Sequence, residues 1–202
     1  MTGPATGPAT GPATGPGLDR PLLVLVGPPG AGKSTVAGLL AAWLERPVRD
    51  TDADVEQAAG VPIAEIFVSQ GEPAFRALER AAVLRALAEH RGVLALGGGA
   101  VLNPAVERAL RGHTVVFLDV GIGDAARRIG FNRDRPLLIG NPRGRWMQLM
   151  ADRRPVYQRT ASCVVATDGR TPQEVASAVL AALDHLDPTA GGLLDDPTAG
   201  GR

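Results

Sequence analysis

The feature that most constrains the fold of this chain is a glycine-rich run from Gly27 to Thr35, set between two apolar segments. The run reads Gly-Pro-Pro-Gly-Ala-Gly-Lys-Ser-Thr and matches the phosphate-binding pattern G-x-x-x-x-G-K-[ST], whose backbone N–H groups cradle an anion at a helix N-terminus. Residues 22–26 before it read as a buried strand, and residues 36–44 after it read as a helix with an apolar face. The sequence therefore predicts a strand, a phosphate loop and a helix, with a nucleoside triphosphate as the ligand.

Lys33, inside this run, is the single lysine among the 21 basic residues of the chain, and all the others are arginine. An ammonium group is a compact point charge, so it can reach the β- and γ-phosphates of the nucleotide. The hydroxyl of the neighbouring Ser34 can hold Mg²⁺. A glycine-rich turn with an incidental lysine is the alternative, and the presence of strand, spacing and helix together argues against it.

Composition excludes several classes of partner. The formal net charge is zero, which argues against a nucleic acid as the main partner. No apolar stretch approaches the ~20 residues that a membrane-spanning helix needs. The one cysteine, Cys163, allows no internal disulfide, and we expect it to be buried and inert in a core strand. These observations predict a cytoplasmic protein without a membrane or nucleic-acid partner.

The two ends of the chain are repetitive. Residues 2–17 repeat Thr-Gly-Pro-Ala, and Asp-Pro-Thr-Ala-Gly-Gly occurs at 187–192 and again at 196–201. Such segments have few side chains to bury and cannot offset the entropy of ordering. We therefore expect disordered tails over 1–18 and 187–202, acting as solvated spacers rather than interaction segments, and one folded domain over 19–186.

Apolar strands alternate with helical patterns throughout this domain. The strand candidates are 22–26, 47–50, 93–96, 114–119 and 162–166, and the helical patterns cover 33–45, 53–59, 62–69, 72–90, 104–111, 121–129, 144–152 and 172–185. Alternation of this kind predicts an α/β fold of three layers, with a five-stranded parallel sheet flanked by helices. Ligands of such sheets bind beyond the carboxyl ends of the strands, where three unusual loops should meet.

The second of these loops carries Asp50 and Asp52. We expect both to end a strand and to point to opposite sides, so that one carboxylate faces Mg²⁺ and the other faces a substrate hydroxyl. A carboxylate near the acceptor oxygen can take its proton or orient it during phosphoryl transfer. Helix capping is the alternative, but it explains one of Asp50, Asp52 and Asp54 more easily than all three.

The third loop is Gly97-Gly98-Gly99, which follows an apolar strand. Three successive glycines let the backbone approach a ligand closely and offer N–H donors to it.

On the long helix that begins near Gly71, Arg76 and Glu79 are one turn apart and can form an ion pair. From the residues alone, a substrate-binding role for Arg76 and a solvated helix pair are equally supported.

Arginines are dense between Gly121 and Arg145, and the helical period is lost between 130 and 144. This pattern predicts a mobile, basic lid over about 130–144 that closes over phosphates and excludes water. Arg135 is the best candidate for stabilising charge on the transferring phosphoryl group. Further cations follow in Arg153-Arg154-Pro155-Val156-Tyr157.

Taken together, these motifs resemble the shikimate kinases, small P-loop enzymes similar to nucleoside-monophosphate kinases. The resemblance runs from about Leu22 to Leu183 and rests on an ordered set of motifs. They are Asp50-x-Asp52, Gly71-Glu72-x-x-Phe75-Arg76-x-x-Glu79, Gly97-Gly98-Gly99, Arg135-Pro136-Leu137-Leu138 and Arg153-x-Pro155-x-Tyr157. It implies ATP-dependent phosphorylation of the 3-hydroxyl of shikimate, a step of chorismate and aromatic amino-acid biosynthesis.

The resemblance also implies a role for each site residue. Catalysis would rest on Lys33, Asp52 and Arg135, with Mg²⁺ held by Ser34 and, through water, by Asp50. The ATP site would comprise Gly30, Ala31, Gly32, Lys33, Ser34, Thr35, Arg128, Arg135 and Arg170, with Arg128 and Arg170 beside the adenine. The shikimate site would comprise Asp52, Phe67, Phe75, Arg76, Gly97, Gly98, Gly99 and Arg153. The domain would bind its substrates through helices within 53–90, and we expect a monomer.

Some points stay open. Ala31 stands where many relatives have serine, so one hydrogen bond to the nucleotide is lost. Either Arg153 or Arg154 can take the carboxylate of the substrate, and the spacing to Pro155 and Tyr157 favours Arg153. The alternatives to shikimate kinase activity are another small-metabolite kinase of the same fold, such as a gluconate kinase, and a non-catalytic nucleotide-binding module.

Overall fold

The computed structural model describes residues 21–129 and 142–186, and in this part of the chain five strands form one parallel sheet. The strands are β1 (Leu23–Val26), β2 (Val48–Asp50), β3 (Val93–Ala95), β4 (Val115–Asp119) and β5 (Cys163–Ala166). Their order across the sheet is β2-β3-β1-β4-β5, so β1 is central. In register, Val24 lies opposite Leu94 of β3 and Val115 of β4. The predicted α/β fold with a five-stranded parallel sheet is confirmed.

Helices connect successive strands. They are α1 (Lys33–Trp43), α2 (Thr51–Ala59), α3 (Ile63–Ser69), α4 (Gly71–Glu89), α5 (Pro104–Ala109), α6 (Ile122–Ile129), α7 (Pro142–Thr160) and α8 (Pro172–Leu186), with a 3₁₀ turn at Ala100–Leu102. Helical residues pack on the sheet in one core cluster with all four residues of β1, none more than 1% exposed. A strand that is buried on both faces reads as a continuous apolar run, which explains why Leu23–Val26 shows no alternation.

A second, smaller core lies under α2, α3 and α4. Val55, Ile66, Phe75 and Ala82 are its buried members, and Phe67 packs against them. This cluster fixes the three helices between β2 and β3 to one another, separately from the main core. It therefore sets where α4 presents its polar side chains at the carboxyl edge of the sheet.

Helix α2 begins directly where β2 ends. Asp50 is the N-cap, and its Oδ1 accepts the backbone N–H of Asp52 at 2.9 Å, which satisfies a helical donor that otherwise has no partner. The helix ends at Gly60, whose φ of 72° is the left-handed conformation that glycine adopts without strain. The capping interpretation of the aspartates is thus correct for Asp50.

Helix α7 differs from the sequence prediction. We expected a helix over 144–152 followed by a separate segment at 153–157, but α7 is continuous from Pro142 to Thr160 with Pro155 inside it. Proline lacks the N–H for an intrahelical bond and normally ends a helix. Here side chains on both sides of it, Met150 before and Tyr157 after, are buried in the main core, and this packing holds the two halves in line.

The lid prediction falls mostly outside the described part of the chain. Residues 142–144 form the first turn of α7, whereas 130–141, including Arg133 and Arg135, lie outside the described residues. The same holds for the tails predicted over 1–18 and 187–202. Among the helices that are described, none combines the length and the apolar character needed to cross a bilayer.

Strand β5 is more exposed than expected. It lies at the edge of the sheet, with Val164 51% exposed and Cys163 half-buried, and only Val165 is buried. Burial still raises the pKa of the Cys163 thiol, which disfavours the reactive thiolate. The prediction of a fully buried cysteine was wrong because an edge strand has a neighbour on one side only.

We predict that Gly92→Ala lowers the free energy of unfolding by about 1–3 kcal/mol, the cost of overpacking. A Cβ at Gly92 would lie 1.9 Å from the carbonyl oxygen of Pro47, whose position is fixed by its hydrogen bond from Val93. Urea unfolding measures the change. The control is Gly38→Ala in α1, where a Cβ meets nothing within 4 Å, and we expect a gain of about 0.4–1 kcal/mol. An equal effect of the two substitutions would contradict the prediction.

Candidate functional site

The phosphate loop lies between β1 and α1 and opens into a cleft of about 490 Å³. Gly30 and Gly32 have φ values of 84° and 85°, so the loop needs glycine at both positions. Lys33 Nζ donates to the carbonyls of Gly27 at 2.9 Å and Pro28 at 3.2 Å. The ammonium is therefore held over the loop, where it faces any anion that the backbone N–H groups bind.

The rest of the cleft is formed by α6 and the start of α8. It is lined by Gly30, Ala31, Gly32, Lys33, Ser34, Thr35, Val36, Arg128, Ile129, Arg170, Pro172 and Val175. Arg128 donates to the carbonyl of Gly30 at 3.3 Å and to that of Thr167 at 2.6 Å. Its guanidinium thus ties the phosphate loop to the segment after β5. The predicted nucleotide residues that are described, including Arg170, all line this one cleft.

Ser34 and Asp50 face each other across the edge of the sheet. The Ser34 hydroxyl donates to Asp50 Oδ2 at 2.5 Å, while Asp50 Oδ1 caps α2. A hydroxyl and a carboxylate beside a phosphate site are hard oxygen ligands of the kind that Mg²⁺ takes together with water and phosphate oxygens. Within the described ranges there is no group of three or more His, Cys, Asp or Glu side chains that could hold a metal ion by itself.

Asp52 lies in the first turn of α2 and not at the end of β2. The expectation that two residues of one strand, two apart, would point to opposite sides was wrong, because such residues share a face. Their carboxylates nevertheless diverge, since the chain changes from strand to helix at Thr51. Asp50 turns to Ser34, and Asp52 Oδ1 lies 2.4 Å from where a Cβ of Gly97 would be.

The turn Gly97–Gly99 is glycine because three side chains press against it. A Cβ at Gly97 would also lie 2.8 Å from Glu79 Oε1, and one at Gly99 would lie 2.2 Å from Arg76 Nη1. None of the three glycines has a positive φ, so a side chain at Gly97 or Gly99 would be opposed by Asp52, Glu79 and Arg76, which would have to move, and not by backbone conformation. The backbone N–H of Gly97 donates to the buried hydroxyl of Thr51 at 3.0 Å. This donor was expected to be available to a ligand, but Thr51 already occupies it.

Two carboxylates hold Arg76. Its Nη1 donates to Glu79 at 2.7 Å and its Nη2 to Glu72 at 3.0 Å, and the guanidinium carbon lies 5.1 Å from the centre of the Phe75 ring. Burial by itself lowers the pKa of Arg76, but the charge and hydrogen bonds of Glu79 and Glu72 outweigh it, so the pKa is raised overall. The side chain of Glu79 is only 5% exposed, which makes this the buried anchor of the arginine.

Helix α7 also contacts the glycine turn. Arg153 Nη1 donates to the carbonyl of Gly98 at 2.9 Å, and the hydroxyl of Tyr157 donates to it at 2.5 Å. Burial raises the pKa of Tyr157 to about 12, so its hydroxyl stays a donor throughout the physiological range. Arg154 instead pairs with Asp119 at the end of β4, at 2.5 Å.

Phe67 and Phe75 form an apolar wall beside these polar groups. Their ring centres are 4.7 Å apart, with Phe75 buried and Phe67 half-buried. Of the predicted shikimate-site residues, Asp52, Arg76 and Arg153 border the glycine turn Gly97–Gly99, while Phe67 and Phe75 lie beside Arg76. Arg135 lies outside the described residues. The arrangement places two cations and a carboxylate around the glycine turn, next to the phosphate loop.

Sequence reasoning did not identify Thr51 or Trp146. Thr51 holds Gly97 from between two aspartates, and only its position at a strand end sets it apart in the sequence. The indole of Trp146, a buried residue, donates to the carbonyl of Pro29 at 3.3 Å, 117 residues away in the chain. A contact of such separation leaves no pattern in a single sequence.

Comparisons with known proteins agree on one family. A family model described as shikimate kinase matches residues 29–184. The chain is 54% identical over 167 residues to a shikimate kinase of Streptomyces coelicolor, covering 83% of this chain and 98% of that one. It is 56% identical over 164 residues to that of Streptomyces avermitilis, covering 81% and 96%. The structure of a shikimate kinase from Acinetobacter baumannii in complex with shikimate has a TM-score of 0.79 and 30% identity, covering 87% of this chain and 96% of that one.

We predict that Glu79→Gln lowers the free energy of unfolding by about 1–3 kcal/mol, since Arg76 loses its buried counter-charge. Denaturant unfolding measures the change. The matched control is Glu72→Gln, which removes the exposed partner of the same guanidinium and is expected to change stability by less than about 0.5 kcal/mol. If the two variants are equally stable, Glu79 is not the anchor of Arg76.

Proposed function

This chain belongs to the shikimate kinase family, and on that premise we propose how its residues divide the transfer of a phosphoryl group from ATP to shikimate. It is an enzyme with shikimate kinase activity, a transferase of aromatic amino-acid biosynthesis. The resulting task is to bind a triphosphate and a hydroxylated acid side by side. The acid needs cations at its carboxylate and an acceptor near its reacting hydroxyl.

The observation that carries the proposal is the contact between the two subsites. A Cβ at Gly98 would lie 3.3 Å from the ring of Pro29 and 3.4 Å from the carbonyl oxygen of Gly27. The glycine turn and the phosphate loop are therefore in contact, with no side chain between them. An acid bound against the turn would present its hydroxyl to the terminal phosphate held by the loop, which is the positioning that phosphoryl transfer requires.

At the nucleotide end, the backbone of Gly30 to Thr35 cradles the phosphates and Lys33 supplies charge to the β- and γ-phosphates. Arg128 and Arg170 border the adenine from the side of α6 and α8. Arg135, from the segment between α6 and α7, stabilises charge on the phosphoryl group in transit. Support for these roles comes from the shared cleft for the described residues, and from the sequence motif for Arg135.

Ser34 and Asp50 are the residues that would hold Mg²⁺, Asp50 through water. The fit rests on their adjacency, 2.5 Å between oxygens, and on the phosphate loop from which Ser34 projects. The ion, when bound, neutralises charge on the β- and γ-phosphates. Both side chains are oxygen ligands at the rim of the phosphate cleft, which suits an ion that keeps several waters.

At the acid end, Arg76 and Arg153 hold the carboxylate of shikimate, and Phe67 and Phe75 wall the ring. Asp52 orients the 3-hydroxyl and accepts its proton as the oxygen bonds to the γ-phosphorus and the bond to the β-phosphate oxygen breaks, releasing ADP. Because Asp119 pairs with Arg154, Arg153 is the better candidate of the two arginines for the carboxylate. We also propose that the enzyme acts as a cytoplasmic monomer, because its single cysteine suits a reducing compartment and its sequence has no heptad pattern that would indicate a partner helix.

We predict that Asp52→Asn retains nucleotide binding but lowers kcat by ~10²-fold or more, the loss expected when a general base or orienting carboxylate is removed. A coupled assay with Mg-ATP and shikimate measures turnover, and calorimetric titration with ADP measures binding. Asp54→Asn is the control on the same helix, because Asp54 pairs with Arg49 at 2.7 Å and not with the glycine turn. Unchanged turnover in the Asp52 variant would show that its assigned role is wrong.

We predict that Arg76→Lys raises the KM for shikimate by ~10-fold or more and leaves the KM for ATP unchanged. Lysine keeps the charge but loses the planar fork that holds a carboxylate through two bonds. The control is Arg80→Lys, one turn further along α4, where the side chain is exposed. A rise in the KM for ATP in the Arg76 variant would mean that Arg76 serves the nucleotide and not shikimate.

A further inference from the structure

Helix α7 contacts both loops of the site through two buried aromatic residues. The Trp146 indole N–H donates to the carbonyl of Pro29 in the phosphate loop at 3.3 Å, and the Tyr157 hydroxyl donates to the carbonyl of Gly98 in the glycine turn at 2.5 Å. The two residues are three turns apart, roughly 16 Å along the helix, so they lie on the same side of it. One rigid element thus joins the two subsites at separate points.

The polar atoms of these side chains do more than fill space. Trp146 is 4% exposed, and a leucine or methionine of the core would fill such a site without a hydrogen bond to the loop. The Tyr157 ring stacks on Phe117 of the central sheet with ring centres 4.9 Å apart, and its hydroxyl reaches out of this stack to Gly98. In each case the ring anchors α7 in the core and the single donor holds a loop carbonyl.

The two loops also contact each other. The Pro29 ring is the nearest atom group to where a Cβ of Gly98 would lie, at 3.3 Å. Moving either loop away from α7 would therefore open the contact between the subsites. Arg153, between the two aromatic residues on the helix, is placed by the same anchoring because it also donates to the Gly98 carbonyl.

We propose that α7 is a two-point anchor, in which Trp146 positions the phosphate loop for ATP and Tyr157 positions the glycine turn for shikimate. Both act through backbone carbonyls and are positioning residues that do not touch the reacting atoms. This inference rests on the proposed function, because it assigns each anchor to one of the two substrates. It predicts that the two anchors affect different substrates although they lie on one helix.

The first test is a kinetic comparison of Trp146→Phe and Tyr157→Phe. Each removes the donor and leaves an aromatic ring, which at position 146 is smaller than the indole it replaces. We expect Trp146→Phe to raise the KM for ATP by about threefold to tenfold and Tyr157→Phe to raise the KM for shikimate by a similar factor, as for the loss of one hydrogen bond. In each variant the other KM and the kcat should change less than about twofold. Equal effects on both KM values, or none, would overturn the proposal.

Two substitutions serve as matched controls. Trp43→Phe changes the other tryptophan, which is 45% exposed at the end of α1. Thr160→Val removes a hydroxyl from α7 whose one hydrogen bond among residues 21–129 and 142–186 is to the carbonyl of Val156, within the helix. Neither should change either KM. A change in these variants similar to that in the test variants would mean that α7 packing, and not the two donors, sets substrate affinity.

The second test keeps the side chains of Trp146 and Tyr157, so it does not depend on whether the two phenylalanine variants of the first test fold. Tyr157 is the single tyrosine of the chain, so 3-fluorotyrosine labelling gives one fluorine NMR signal. Labelling with 5-fluorotryptophan in the Trp43→Phe background likewise reports Trp146 alone. We expect ADP to shift the Trp146 signal and shikimate to shift the Tyr157 signal. Signals that respond to neither ligand, or both to the same ligand, would overturn the anchor.

Loss of the α7 anchor and loss of the assigned catalytic roles give different experimental results. Normal turnover of shikimate with no split between the two KM values and no ligand-specific fluorine shifts removes only the anchor. The roles assigned to Asp52 and Arg76 would be wrong if Asp52→Asn turns over shikimate normally, or if Arg76→Lys changes only the KM for ATP. Neither of these results concerns the hydrogen bonds made by α7. The fluorine shifts then decide the anchor, because they report binding and not turnover.

Discussion

The contact between the glycine turn and the phosphate loop is the constraint on which the rest of the site depends. The two loops follow β3 and β1, which are neighbours in the sheet, and the missing side chain at Gly98 lets them touch at Pro29 and Gly27. A parallel sheet brings the carboxyl ends of its strands to one edge, so the pairing of β1 with β3 sets the distance between the nucleotide and the acid. The lysine, the aspartates and the arginines are then arranged around this fixed separation.

Charge is held in place at the acid end by burial as well as by pairing. Arg76 is fixed by Glu79, whose carboxylate is almost fully buried beside the glycine turn, and the exposed Glu72 adds a second bond. A guanidinium that is already held in place loses little conformational entropy when it binds a carboxylate, so a rigid site binds its ligand more tightly. Arg153 is fixed in a different way, by a backbone carbonyl of the glycine turn, so the two cations are supported by different elements, α4 and α7.

Much of this arrangement could be predicted because its signals are local. The phosphate loop, the five strands and the ion pair of Arg76 with Glu79 follow from spacing and periodicity. The errors came where tertiary packing overrides local preference. Helix α7 continues through Pro155 because the core holds both halves, and Cys163 is half-exposed because β5 is an edge strand. Asp52 was wrongly assigned to a strand because the sequence pattern does not show at which residue the strand ends and the helix begins.

Local signals in the sequence were enough to specify the phosphate loop, the order of strands and helices along the chain, and the residue types that converge on the site, because these depend on neighbours a few residues apart. Which groups meet was set by tertiary packing. Trp146 forms a hydrogen bond with Pro29, Tyr157 with Gly98 and Thr51 with Gly97, over separations of 46 to 117 residues along the chain. Such contacts form when whole helices pack against the sheet, and this packing is driven by the burial of apolar surface. The pattern of a single sequence does not reveal which buried surfaces pack against each other.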